Sequence, residues 1–444
     1  MQQKPRLSLF EFTMLMISFV IGMGIFRTPA NVAANAANPF IFYAAWLAGG
    51  LVALCGALTY AEIGSRYPVT GGYYKIFSYA YHPSIAFAVN CIILVSNAAS
   101  LAGVALVGAE YVSSIFFSNS PGLKTIQIVF AIACIIIFYS INLLGLKVSA
   151  RTQNVLSAIK IGLILFLVLP LLFGKTADLP ASSIVHHANP AFIEFIRSFG
   201  ICLVAVSFTY GGYQQSINFG EEVSNPTKTV PRAIAIGIGI IILLYLLINF
   251  AYMQVIGFEN LKTAKNISAI MATTLFGNVG GRIVSALLFL SVLGYVNAVL
   301  LSNPRVMQAM SEDGVLPSAF GKRSASKNVL VTALSVFAAL STLIVFWAET
   351  FDAILSFTIF LDCIGMALSA ATIFKLRKET AHLNGTGIYQ MKMYPLLPLI
   401  FIFAYTLVAV SIFIDKPMTA LLGLGILAVF VAIYFAVSSR KKSN

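Results

Sequence analysis

Apolar residues in this chain come in runs far longer than a soluble core helix needs. Short stretches rich in charge, glycine and proline separate them. Crossing a ~30 Å hydrocarbon layer takes about 20 helical residues. The runs predict spans at 9–36, 40–63, 84–117, 125–145, 150–173, 195–219, 231–256, 281–304, 329–347, 352–375, 394–414 and 418–438. Twelve helices leave almost nothing for a water-soluble domain, so the pattern predicts an all-α integral membrane protein.

Two of these runs are interrupted. Ile21-Gly22-Met23-Gly24-Ile25-Phe26 breaks the first span and Phe208-Thr209-Tyr210-Gly211-Gly212-Tyr213 breaks the sixth. Bare backbone is not tolerated in lipid, so glycine clusters at mid-depth belong where they line a protein-enclosed cavity. Gly49-Gly50, Gly103 and Gly108 have a simpler explanation in close helix packing. The two breaks instead fall at matching places in two five-span halves, 1–175 and 190–378, with 390–444 appended. Five is odd, so the second half inserts with opposite topology, as an inverted repeat. Matched broken helices of this kind point to a transport site near the bilayer midplane.

A broken helix offers free N–H groups at the start of its second half and free C=O groups at the end of its first. An α-amino acid matches both sets at once. On this reading Gly22 and Gly24 receive the carboxylate, and the stretch from Phe208 to Gly211 offers carbonyls to the ammonium.

Composition agrees, with 59% hydrophobic and 10% charged residues and a mean hydropathy of +0.91. The net charge of +13 invites a nucleic-acid partner, which its distribution rejects. With both termini cytoplasmic, most Lys and Arg residues fall on inner loops, the bias that sets membrane orientation. The first apolar segment lacks a small-residue cleavage site and is expected to be retained. All five cysteines lie in predicted spans without metal-ligand spacing, so neither disulfides nor a metal are expected. His82, His186, His187 and His382 fall in loops or at helix ends, and no His-Glu-x-x-His or Gly-x-Ser-x-Gly occurs. No enzyme chemistry and no cofactor are expected. Three inner connections, Gly64–Pro83, Glu221–Arg232 and Met307–Lys327, mix charge with aromatic character and read as gates or short interfacial helices.

Few charges fall inside spans, and each costs several kcal/mol. Lys160 lies about ten residues into the fifth, sharing a bundle-facing polar stripe with Asn154 and Ser157. Asp362, midway along the tenth, is a proton-relay residue, an outer-vestibule determinant or a carboxyl kept neutral by burial. Asn297 either lines the cavity or makes an interhelical hydrogen bond. Glu110, late in the third span, lies close to the outer rim, where a solvated structural role is expected; Arg27, toward the outer mouth, either steers substrate or snorkels.

Several segments carry a resemblance. Gly22-Met23-Gly24-Ile25-Phe26 resembles the Gly-Ser-Gly-Ile-Phe motif of the amino acid–polyamine–organocation superfamily. The Phe208–Tyr213 segment is similar to the sixth-helix motif of its L-type amino acid transporter branch, with Tyr213 where Trp is usual. Glu221-Glu222-Val223-Ser224-Asn225-Pro226 through Val230-Pro231-Arg232-Ala233-Ile234 resembles another family signature. So do Ala61–Pro68 with Gly71-Gly72-Tyr73, and Arg305 with Ala309–Pro317. Each is weak alone; five in order over residues 20–317 are specific.

The resemblance implies a leucine-transporter-like fold of 5+5 inverted repeats with helices 1 and 6 broken. It implies amino acid transport by alternating access, with substrate contacts from Ile21, Gly22, Met23, Gly24, Ile25, Phe208, Thr209, Tyr210, Gly211 and Asn297. Phe208 would be the gate. Lys160 would stand where sodium-coupled relatives hold a cation, making transport sodium-independent. Met23 replaces a usual serine near the carboxylate and changes the site's size. Proton symport is the expected coupling, with Asp362 linked to the proton; obligate exchange is the alternative. Small or mid-sized neutral amino acids are expected, since no acid is clearly positioned for a cationic side chain; cationic substrates or an amino-acid sensor are the other readings. The expected partners are the amino acid, the lipid bilayer and protons. Heterodimeric members carry a cysteine between the third and fourth spans, which this chain lacks. A prokaryotic-type protein of the inner membrane, without a disulfide-linked heavy chain, is therefore expected.

Overall fold

The computed structural model describes residues 6–117, 121–169, 171, 191–264, 266–347 and 351–442. The first helices are α1 (Leu9–Val20), α2 (Gly24–Asn35), α3 (Pro39–Arg66), α4 (Gly72–Ala80) and α5 (Pro83–Phe116). There follow α6 (Leu123–Leu143), α7 (Leu146–Val168), α8 (Phe192–Tyr210), α9 (Pro226–Val255) and α10 (Phe258–Thr263). The chain closes with α11 (Ile267–Glu312), α12 (Val331–Trp347), α13 (Phe351–Glu379), α14 (Leu396–Asp415) and α15 (Pro417–Lys442). Among the described residues the only β pairing is two isolated bridges, Leu7 with Val223 and Thr70 with Phe219. The His186-His187 loop and Ser118–Ser120 lie outside the described residues.

Nine of the described helices are long and apolar enough to cross a membrane, counting α1 and α2 through their break as one. The bundle is apolar outside, with Phe40, Leu47, Leu51, Val129 and Phe403 all exposed, as lipid-facing positions require. Its interior holds Glu62, Arg66 and Lys160, all buried.

Local chemistry fixes where helices start. Ser8 and Glu11 form a reciprocal capping box on α1. The Asn38 side chain accepts from the Ile41 N–H, ahead of Pro39 in the first turn of α3. Pro83 and Pro226 likewise open α5 and α9.

Two boundaries depart from expectation. The span predicted at 281–304 is the middle of the 46-residue α11, which continues across a left-handed Gly277 (φ 71°). After the second break the chain forms a 3-10 segment, Tyr213–Asn218, where the hydropathy suggested a second α-half.

The three charged connections interlock at one end of the bundle. Leu7 N donates to Glu222 O (2.7 Å) and Ser224 N to Leu7 O (3.0 Å). Gly71 N donates to Asn218 O (3.0 Å), and Tyr73 N to Asn218 Oδ1 (2.9 Å). Gly71 is left-handed and its Cα abuts the Arg305 carbonyl, so no side chain fits there. Arg305 and Arg323 both hold Glu222, and Lys75 meets Asp313 at 2.5 Å. Buried Glu62 binds α3 to α13 and the following loop through Arg66, Arg377 and the Met391 N–H.

Candidate functional site

The break between α1 and α2 spends part of its backbone on local bonds. Ile21 N donates to Ile17 O (2.8 Å), Gly22 N to Val20 O (2.8 Å) and Phe26 N to Met23 O (3.1 Å). Among the described residues nothing accepts from the N–H groups of Met23, Gly24 and Ile25. Free donors at the start of a helix make a site for an anion.

The second break sits against the first. Gly212 adopts φ 118°, and a Cβ there would collide with the Phe19 carbonyl. A Cβ on Gly24 would come within 2.9 Å of Thr209 Cγ2. The Tyr245 hydroxyl lies between the carbonyls of Val20 (3.1 Å) and Thr209 (3.3 Å), one from each broken helix. The Phe208 carbonyl takes the Gly211 N–H (3.1 Å). Backbone meets backbone here because glycine permits it.

A cavity of about 100 Å³ opens at this crossing. Gly22, Met23 and Gly24 line it from one break, and Phe208, Thr209 and Gly211 from the other. Asn97 and Ser100 of α5, Tyr295 of α11, Asp362 of α13 and Tyr405 of α14 complete its walls, together with Gln214 and Gln215. Most expected site residues therefore come together. Asp362 joins them, which removes the ground on which a neutral side chain was expected.

Four of the expected substrate contacts do not line the cavity. Ile21 and Ile25 are wholly buried in packing. Tyr210 turns away into an aromatic cluster with Trp46 and Tyr245, at ring separations of 6.0 and 5.0 Å. Asn297 donates to Gln153 Oε1 (2.6 Å) and Ser149 O (3.3 Å) and accepts from Asn142 (2.9 Å). It ties α11 to α6 and α7, the interhelical role left open by sequence. Its neighbour Tyr295 is the α11 residue that reaches the cavity.

Lys160 is buried, and its Nζ donates to the carbonyls of Ile21 (2.6 Å) and Ser18 (3.3 Å). The ammonium thus satisfies C=O groups left over where α1 stops. Ser157 reinforces the contact, donating to Met14 O (2.9 Å) and lying 2.6 Å from Ser18 Oγ. The polar stripe on α7 runs through Gln153, Ser157 and Lys160. Gly294 gives the lysine room: a Cβ there would lie 2.7 Å from Lys160 Cε. Arg27 faces Glu110 at 3.7 Å near the exposed rim.

Sequence reasoning misses Tyr245 and Gln153, which act through approaches that only the packed structure reveals.

The sequence profile of the amino acid permease family matches residues 7–438. The chain is 28% identical over 440 residues to the serine/threonine exchanger SteT of Bacillus subtilis, covering 98% of this chain and 97% of that protein. It is 28% identical to the human cystine/glutamate transporter over 433 residues, 95% of this chain and 83% of that one. With the human large neutral amino acids transporter small subunit 2 it shares 25% over 438 residues, 97% and 80% of the two chains.

Proposed function

The chain belongs to the amino acid permease family, a family of multi-pass membrane proteins, and on that premise we propose that it is a sodium-independent amino acid transporter working by alternating access. Crossed breaks with free N–H groups at Met23, Gly24 and Ile25, beside a cavity lined by both breaks, carry this reading. The substrate carboxylate sits at those donors, the α8 end receives its ammonium, and Phe208 acts as the gate. Lys160 supplies at the first break the positive charge that a bound sodium ion would otherwise bring.

The fold behind this is twelve spans in a 5+5 inverted repeat with two appended helices. The protein sits in the cytoplasmic membrane of a prokaryote with both termini inside, and the interlocked end of the bundle faces the cytoplasm. No cysteine occurs between Cys91 and Cys134, so the loop between α5 and α6 offers no thiol for a disulfide to a partner.

Exchange is the favoured mode, supported by similarity along nearly the whole chain to a protein named as an exchanger. Proton symport is the second reading, favoured by Asp362 in the cavity wall. Uptake of labelled amino acids into proteoliposomes separates them. Uptake that needs unlabelled amino acid inside supports exchange; uptake into empty vesicles under an inward proton gradient supports symport. Silence in both contradicts transport.

A further inference from the structure

A carboxylate at membrane depth is costly unless something answers its charge. Asp362 lines the cavity, and its one hydrogen bond among the described residues comes from Ser96 Oγ at 3.1 Å. No lysine, arginine or histidine among the described residues pairs with it. The ionisable groups nearest to it, Tyr73, Tyr295, Tyr405 and Cys363, carry no positive charge. Lys160 is committed elsewhere, to the carbonyls of Ile21 and Ser18. Among the described residues, the cavity wall therefore carries one acidic side chain and no basic one.

A second acceptor shares this wall. Asn303 Nδ2 donates to Val299 O (2.9 Å), which leaves its Oδ1 to accept from Asn97 Nδ2 (2.7 Å). Asn97 spends one amide hydrogen on this bond, and among the described residues its Oδ1 has no donor and is open to accept. Gln214 and Gln215 are oriented the other way. Their Oε1 atoms accept from Gly212 N (2.9 Å) and from Asn218 and Ser302 (each 3.1 Å), leaving their Nε2 groups to donate. The cavity is thus polarised. Free N–H donors lie at the first break and amide donors on the 3-10 segment, and side-chain acceptors gather where α5 meets α13.

We propose that Asp362, with Asn97 beside it, selects α-amino acids whose side chain carries its own positive charge, an ammonium or guanidinium. The inference rests on the transport reading above, in which the breaks hold the α-carboxylate and α-ammonium. The side-chain cation then completes a pair that the protein leaves half-made. The relatives do not decide the matter, because at near-equal identity they are named for serine and threonine, for cystine and glutamate, and for large neutral amino acids.

The test compares pairs with the same carbon chain, ornithine against norvaline and lysine against norleucine, as labelled substrates of the full-length protein in proteoliposomes preloaded with the same unlabelled compound. Each pair differs by one charged amine. The expected result is uptake of the basic member roughly tenfold or more above its neutral partner. Asp362→Asn brings that ratio toward one, and Asp362→Glu, which keeps the charge, preserves it. The ratio in the unaltered protein decides even where a variant does not fold. Equal or better uptake of the neutral members overturns the assignment while leaving the transport site standing. So does neutral uptake driven by a proton gradient and lost in Asp362→Asn, which makes Asp362 a proton carrier. No uptake of any amino acid overturns the transport reading and this inference together.

Discussion

Lys160 Nζ lies 2.6 Å from the carbonyl oxygen of Ile21, joining the middle of one membrane helix to the point where another stops. This contact makes the first break a fixed structure. Replacing Lys160 with methionine keeps the bulk but leaves the Ile21 and Ser18 carbonyls without their donor, at about 1–3 kcal/mol for each buried group. Lys160→Met is therefore expected to abolish uptake and to lower the thermal unfolding temperature in detergent.

Gly294 offers an independent check on the same contact. Its α-carbon faces the lysine stem, so Gly294→Ala pushes Lys160 away from the break. An overpacked site of this kind costs about 1–3 kcal/mol. Transport is expected to fall at least tenfold in proteoliposomes, and unchanged uptake would show that the lysine need not sit where it does.

The two glycines at the crossing should respond differently. A side chain at Gly212 meets backbone, the Phe19 carbonyl, and must also adopt φ 118°, so Gly212→Ala has no local remedy. A side chain at Gly24 meets the Thr209 side chain. Thermal unfolding should show Gly24→Ala partly rescued by Thr209→Ala, and Gly212→Ala not rescued.

Glu222 predicts the acid response of the interlocked end. Burial pushes its carboxyl up, but Arg305 and Arg323 beside it outweigh that and hold it below its ordinary range. A depressed carboxylate contributes stability in full above the ordinary value of about 4.3, and loses it as pH falls through the lower folded value. The clasp of Leu7 on residues 222–224 should therefore hold from neutral pH down to about pH 5 and release in stronger acid. Hydrogen exchange at Ser224, whose N–H donates to Leu7 O, reads this directly. Glu222→Gln should release it at neutral pH as well.

The sequence made the breaks legible because a glycine cluster inside an apolar run has few explanations in lipid. It also exposed Lys160, since a charge ten residues into a span is conspicuous. It could not tell which face of a helix turns to the cavity. Tyr210 and Phe208 are two residues apart, on nearly opposite faces of α8; one packs on Trp46 and the other lines the cavity. Asn297 and Tyr295 divide the two faces of α11 in the same way. The period fixes that the members of each pair part company, and only the packing shows which one meets the cavity. Asp362 was visible as a charge, but only the packing of α5 against α13 placed it in the cavity wall.

Binding of an amino acid between the two breaks is tested by uptake of a labelled amino acid mixture, basic and neutral, into preloaded proteoliposomes by the unaltered protein and by Gly24→Val, with circular dichroism confirming that both are folded. Accumulation is expected by the unaltered protein and none by the variant, whose side chain presses on Thr209 where the two breaks cross. Equal uptake by the two would contradict binding between the breaks.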